Sequence, residues 1–367
     1  MLIFLSNKKV VAFPQMGNYF VPVKYLFEHI LSCKIIDAPF ISNKTIELGT
    51  KYSPDFVCTP FKYTLGTFIE CLDMGANVLI QAGGGCRYGY YSELQEKILK
   101  DLGYDFEYYN LVSAGKNDVK HIVQCMKKIN PKFKKIKSLY YLMIAKQMVK
   151  YMDKIDHYIR ANIGFEKESG SFEKLQSEML ISFSKAKGLI DLKILYKKYF
   201  KLFKKIKISK PKNCLKVGII GELYTIMEPF SNYYLEKLLA SYNIEIKRFT
   251  NVYYLVFEKS RKVKKYLKYA SEYIKYRMGA DAADNVARAK YLCENKYDGI
   301  IHIKSAFCTP EIGAMPIINK VCSDYDVPVI FFSFDSNTSE VGIKTRIEAF
   351  YDMIEMRKSN ERMLHRN

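Results

Sequence analysis

Val78-Leu79-Ile80-Gln81-Ala82-Gly83-Gly84-Gly85-Cys86-Arg87-Tyr88-Gly89 passes from an apolar β-like run into a glycine-rich turn, and a helical pattern over 92–101 follows. Strand, tight turn and helix in that order make half of a parallel crossover unit. Three successive glycines permit positive φ angles and bring the backbone close to a bulky ligand, with N–H groups facing sulfide or phosphate oxygen. No Gly-Lys-Ser/Thr follows, and G-x-G-x-x-G is not met, so the turn is neither a Walker loop nor a dinucleotide fingerprint.

Outward from this unit the same alternation continues. Strands are expected at 10–13, 34–37, 55–58 and 106–110, with helices at 23–31, 64–74 and 92–101, the last stopped by Gly103. From 117 to 210 the β-like runs give way to lysine-rich amphipathic segments at 138–159, 173–183 and 192–205, which read as a helical insertion. After Pro211 the alternation resumes, with strands expected at 215–220, 244–249, 299–303 and 327–334. A long basic helix is expected over 256–278 and another over 281–294, started by Asp281 near an N-cap. The pattern divides the chain into an α/β domain over 1–116, a basic helical insertion over 117–212 and a second α/β domain over 213–367.

At 367 residues with 49% hydrophobic content the chain is long enough for two domains, each with its own core. No apolar run reaches the roughly 18–20 residues that span a bilayer, and the opening residues lack the order of a signal peptide, so a cytoplasmic location without membrane partners is expected. In a reducing compartment an odd count of nine cysteines favours thiol or metal chemistry over a disulfide framework. The formal charge of +20 favours acidic partners in general. Lysine is nevertheless abundant together with Tyr, Ile and Asn, as a genome's base composition produces, so stretches such as 132–137 and 201–207 read as solvated surface and nucleic acid is not an expected partner.

Cys58, Cys86 and Cys308 each stand where a β-like run ends and a turn begins. In open α/β sheets such positions gather at the crevice that binds ligands. Cys58-Thr59-Pro60 and Cys308-Thr309-Pro310 repeat one another, each placing a thiol before a helix start, where the helix dipole favours the thiolate that ligates metal. Zinc sites close with four ligands, often paired as C-x-x-C, or include histidine, and neither pattern occurs. Three thiolates therefore point to an iron-sulfur cluster, with Gly83, Gly84 and Gly85 close to it and Lys62 and Arg87 as candidate catalytic or substrate-pairing cations. Cys71, Cys125, Cys293 and Cys322 fall in helical patterns, Cys33 precedes a strand and Cys214 follows a linker, and all six read as packing residues. No serine nucleophile elbow, H-E-x-x-H helix or EF-hand loop is present in the sequence.

These turns, together with Gly221-Glu222-Leu223-Tyr224, Glu228-Pro229-Phe230-Ser231-Asn232, Thr338-Ser339-Glu340 and Thr345-Arg346-Ile347-Glu348-Ala349-Phe350, resemble the 2-hydroxyacyl-CoA dehydratase component family. The likeness is to the branch of CoA-protein-activase-related or double-cubane-cluster proteins, with a departure at Asp335-Ser336-Asn337, where a Glu-His pair is expected. The resemblance implies two flavodoxin-like doubly wound parallel-sheet domains and a 4Fe-4S or double-cubane 8Fe-9S cluster held by Cys58, Cys86 and Cys308. It also implies a homodimer or heterodimer, and an ATP-dependent activator of the actin and sugar-kinase superfold as electron donor. The function it implies is an iron-sulfur reductase or dehydratase-like (lyase) component acting on an acyl-CoA or another small molecule. The alternatives are a nonenzymatic electron-transfer or cluster-carrying protein and a basic scaffold with incidental thiols.

Overall fold

The computed structural model describes residues 8–83, 86–112 and 118–364, so Gly84 and Gly85 of the glycine-rich turn lie outside the described residues. The chain divides into two compact units, Met1–Gln147 and Met148–Asn367.

The first unit contains β1 (Val10–Ala12), α1 (Phe20–Leu31), β2 (Lys34–Ile35), α2 (Asn43–Tyr52), α3 (Thr59–Asp73), β3 (Val78–Gln81), α4 (Tyr91–Asp101), β4 (Glu107–Asn110) and α5 (Val119–Ile129). Its sheet is parallel throughout, in the order β2-β1-β3-β4. β3 is buried at all four positions, as an unbroken Val-Leu-Ile run requires when helices cover both faces. Its side chains join Phe61, Leu65, Phe68 and Leu99 in one core.

Two helices, not one, connect β2 to β3, and they meet through glycine. A Cβ on Gly49 of α2 would lie 1.8 Å from the Lys62 carbonyl oxygen, and one on Gly66 of α3 would lie 1.9 Å from that of Thr45. The strand expected at 55–58 is absent. The Val57 N–H turns back to the Pro54 carbonyl, Phe56 is 76% exposed, and α3 begins directly at Thr59. Prolines at 54 and 60 bracket the stretch, and neither has an N–H to give a ladder.

Among the described residues no strand lies between β4 and Lys216, a span that holds α5, α6 (Lys135–Asn162), α7 (Ser171–Ser184) and α8 (Leu189–Lys205). The helical character expected for this segment is what the structure contains. Within the second unit Tyr151 stacks on Tyr196 at 4.0 Å, and Phe172 on Phe203 at 6.1 Å. An ion-pair chain anchors α6, with Arg160 contacting Asp156 at 3.6 Å and Glu236 at 2.8 Å while Arg248 reaches Glu236 at 2.6 Å.

The second unit continues with β5 (Lys216–Gly221), α9 (Leu223–Met227), α10 (Leu235–Ser241), β6 (Glu245–Arg248), α11 (Lys259–Tyr269), α12 (Ala282–Glu294), β7 (Gly299–Ser305), α13 (Thr309–Asp324), β8 (Val329–Phe334) and α14 (Glu340–Leu364). Its parallel sheet has the order β6-β5-β7-β8, the same permutation as the first. Both units are therefore doubly wound and flavodoxin-like, with the order reversing between the first and third strands of each sheet. The helix expected over 256–278 ends at Tyr269. The Lys290 ammonium of α12 takes the Tyr269 carbonyl at 3.0 Å, an acceptor a continuing helix would need, and Ala270 and Ile274 turn into the core. Among the described residues no helix is long and apolar enough to cross a membrane.

Two measurements probe this packing. Gly66→Ala should destabilise the protein by about 2 kcal/mol or more, because backbone must move, whereas Gly75→Ala, at φ +91° with open space around it, should cost only about 1 kcal/mol; denaturant midpoints distinguish them. Burial alone would raise the pKa of Glu236, but the guanidiniums of Arg160 and Arg248 outweigh it and hold the carboxyl below its ordinary range. A depressed folded-state pKa means that this stabilisation is present above the unfolded carboxylate value and is lost as pH falls through the folded one. Denaturant midpoints followed from neutral to acid pH should therefore show a shallower acid limb in Glu236→Gln than in the parent.

Candidate functional site

A crossover helix runs antiparallel to the strands it connects, so its N-terminus lies at the carboxyl edge of the sheet. In the first unit this edge carries both expected ligands. Cys86 follows β3, and its sulfur accepts the Tyr88 N–H at 3.5 Å. A Cβ on Gly83 would lie 2.8 Å from the Gly89 Cα, so the two ends of the turn touch through glycine. Cys58 caps the start of α3 in extended conformation, with Pro60 in the first turn and no side-chain cap hydrogen bond. Its sulfur lies 2.7 Å from the Tyr91 hydroxyl at the head of α4, and the Tyr91 ring meets that of Tyr88 at 5.2 Å. Tyr91 thus ties the Cys58 segment to the Cys86 turn. Burial, then the Cys58 sulfur, push the Tyr91 phenol far above its usual pKa, while the Arg87 guanidinium opposes them. The Tyr91 phenol is therefore held protonated, with a hydrogen bond shared between its oxygen and the Cys58 sulfur, and Arg87, itself exposed, adds positive charge at this edge. Lys62 lies buried in the first turns of α3, 7% exposed, with its carbonyl against Gly49.

In the second unit Cys308 occupies the station equivalent to Cys86, directly after the third strand. It caps α13 in extended conformation, again with proline in the first turn and no side-chain cap hydrogen bond. Gly221 at the end of β5 has φ +139°, and a Cβ there would lie 1.8 Å from the Ile303 carbonyl oxygen, so β5 and β7 close up at the switch point. Beneath Cys308 runs a buried polar network that sequence reading missed. Glu311 accepts from Asn285 Nδ2 at 2.9 Å and pairs with His302 Nε2 at 2.7 Å, and all three side chains are fully buried. Asn285 also donates to the Gly221 carbonyl, and Arg288 Nη1 joins Asn285 at 3.2 Å to Thr250 at 2.7 Å. Lys304, 4% exposed, donates to the Ala306 carbonyl at 3.1 Å. Burial lowers its pKa, against the opposing pull of Cys308 and Glu311, so the lysine lies within electrostatic reach of both. The available signal was His302 and Lys304 at alternate positions of a strand otherwise apolar enough to be buried on both faces.

Two adjacent tyrosines, Tyr233 and Tyr234, have φ of 55° and 54°, a left-handed pair that costs backbone energy. Asn232 holds them by donating to the Thr225 carbonyl at 2.7 Å and accepting the Leu235 N–H at 3.0 Å. The Tyr233 ring stacks on Phe334, and its hydroxyl donates to the Thr338 carbonyl at 2.5 Å, fastening Glu228–Asn232 and Thr338, two of the quoted motifs, to one another.

The other cysteines are packing residues in both units. Cys71, Cys125, Cys214, Cys293 and Cys322 are buried and Cys33 is half-buried. Burial pushes the Cys71 thiol up to about 12, the protonated and inert form. Among the described residues no group of three or more His, Cys, Asp or Glu side chains is gathered to hold a metal ion. What fits an iron-sulfur group is the donor chemistry: sulfur at the N-termini of α3 and α13, with the Lys304 ammonium within electrostatic reach of Cys308.

Residues 238–354 match the family HGD-D, the D-component of 2-hydroxyglutaryl-CoA dehydratase. The resemblance to the 2-hydroxyacyl-CoA dehydratase components thus holds over this span, which takes in β6, β7, β8, Lys304, Cys308 and Glu311. No curated protein gives a match. Removing the hub of the buried network should be costly: Glu311→Ala takes from His302 and Asn285 the carboxylate they share, leaving the Asn285 amide nitrogen only the Gly221 carbonyl, and should destabilise the protein by about 2–4 kcal/mol, measured by denaturant unfolding.

Proposed function

We propose that the chain is the iron-sulfur component of a reductase or dehydratase-like system, with Cys58, Cys86 and Cys308 as the thiolate ligands of a 4Fe-4S or double-cubane cluster. The observation that carries this reading is Cys308 at the head of α13, directly after β7 and within the span that matches a dehydratase component. An iron-sulfur cluster with an open iron position supplies electrons and a Lewis-acidic contact for a substrate oxygen. The chain's own residues do the rest. The helix N-termini of α3 and α13 favour the thiolate form of Cys58 and Cys308, and in the turn that carries Cys86 the close approach of Gly83 to Gly89 leaves no room for a side chain at 83; Gly84 and Gly85 are proposed to line the cluster with it.

Lys62 and Arg87 supply positive charge for an anionic substrate, for which an acyl-CoA thioester is the family's precedent. Electrons at low potential come from a separate ATP-dependent activator of the actin and sugar-kinase superfold, as the family resemblance implies.

Strictly anaerobic purification followed by iron and acid-labile sulfide analysis tests the ligand assignment. Cys58→Ala, Cys86→Ala and Cys308→Ala should each lose most of the metal, while Cys71→Ala and Cys293→Ala should retain the parent's content. Equal loss from the two packing variants would remove the basis for the assignment.

A further inference from the structure

Arg288 of α12 is 2% exposed, and an arginine stays charged wherever it is placed. Among the described residues no carboxylate pairs with it: Asp284, one turn earlier on the same helix face, receives the Tyr254 hydroxyl at 2.5 Å and stands 3.7 Å from the Lys259 ammonium. The guanidinium is nevertheless held in a fixed orientation. Nη1 donates to Thr250 Oγ1 at 2.7 Å and to Asn285 Oδ1 at 3.2 Å, and the rings of Tyr254 and Phe249 lie 4.8 Å and 5.8 Å from Cζ. Nε and Nη2 are buried and have no hydrogen-bond partner among the described residues. These two nitrogens share one edge of the guanidinium, the fork whose parallel N–H bonds match the two oxygens of a carboxylate or phosphate.

An unmet donor in a dry setting is costly, and more so on a charged group. The packing makes no use of that edge, since the tie of Arg288 to the buried network runs through Nη1 alone. Phe249 and Thr250 directly follow β6, and Asn285 reaches the Gly221 carbonyl at the end of β5. The guanidinium therefore lies at the carboxyl edge of the second sheet, where open α/β folds hold ligands. Its cover starts at Tyr254 with a π-helical turn, Tyr254–Glu258. Such turns are rare and frequently mark functional sites.

We propose that Arg288 is the receptor for a small carboxylate ligand, whose two oxygens accept the Nε and Nη2 N–H groups while Thr250 and Asn285 steady the guanidinium through Nη1. Phosphate matches the same fork, but the nearby Asp284 carboxylate repels each further negative charge, which favours the monoanion. Because the fork is enclosed, the ligand enters as the turn carrying Tyr254 lifts, and its binding holds that turn shut. No iron and no cysteine takes part in this site, so its fate is separate from that of the iron-sulfur reading.

Sodium acetate is the probe, titrated into the full chain in exchange for sodium chloride at constant ionic strength. Two readouts apply: the thermal unfolding midpoint, and hydrogen exchange over 250–258 read by peptide mass spectrometry. A bound ligand raises the midpoint along a saturating curve, whereas a general salt effect does not saturate. Arg288→Lys keeps the charge and loses the fork. Arg288→Met loses both, and replacing a buried charge by a hydrophobic side chain of similar volume is usually tolerated; should it fail to fold, Arg288→Lys carries the comparison. In the parent the midpoint should rise to saturation and exchange over 250–258 should slow, with sodium phosphate giving the weaker response. Arg288→Lys should bind acetate roughly tenfold more weakly or worse, and Arg288→Met should show no saturable response.

A parent that shows no saturating response to acetate overturns the proposal, as does a response of equal strength in Arg288→Lys. A midpoint that saturates while exchange over 250–258 stays unchanged places the acetate elsewhere and overturns it too. Stronger stabilisation by phosphate than by acetate overturns the assignment of the ligand as a carboxylate.

Discussion

Parallel strand pairing is the constraint from which the rest follows. Each crossover must return to the opposite end of the sheet, so the helix that leads directly back into the next strand presents its N-terminal N–H groups and partial positive charge at the carboxyl edge. Both units obey this with the same strand permutation, and in each the residue that follows the third strand and its turn is a cysteine. Cys58 reaches the same edge of the first unit by another route, as the cap of the second helix in the crossover from β2 to β3. Thiols are thereby presented where a developing negative charge is best tolerated.

The two units meet the demands of that edge with different materials. In the first, close approach is achieved with glycine, Gly83 on Gly89 at the turn and Gly49 and Gly66 between α2 and α3. Tyr91 then bridges Cys58 to the Cys86 segment. In the second, ionisable groups are buried under the turn, which is unfavourable unless each finds a partner. Glu311, His302, Asn285, Arg288 and Thr250 satisfy one another in a chain that ties α12, α13 and β7 together. Lys304 is the member of this region held by main-chain oxygens, that of Ala306 at 3.1 Å and that of Ser305 at 3.4 Å.

Much of this was legible in the sequence because strand runs and glycine-rich turns are local signals. Val78–Gln81 and Gly299–Ser305 appear as strands with cysteine turns after them, and the helical stretch between the α/β halves follows from its apolar spacing. The stretch 55–58 misled because Phe56 and Val57 look like strand residues while the deciding features, two flanking prolines and an early helix start, belong to the turn. The break after Tyr269 was illegible since its cause is a lysine 21 residues away on another helix. The same holds for the network under Cys308, whose members at 250, 285, 288, 302 and 311 meet only after the sheet has formed.

The central claim is that this chain presents sulfur, and not nitrogen or oxygen, to an inorganic iron core. Iron K-edge X-ray absorption on anaerobically isolated protein tests it most directly. The account predicts a first shell around iron dominated by sulfur, with iron neighbours beyond it. A first shell made mainly of nitrogen and oxygen, or an isolated protein that holds no iron at all, would contradict it.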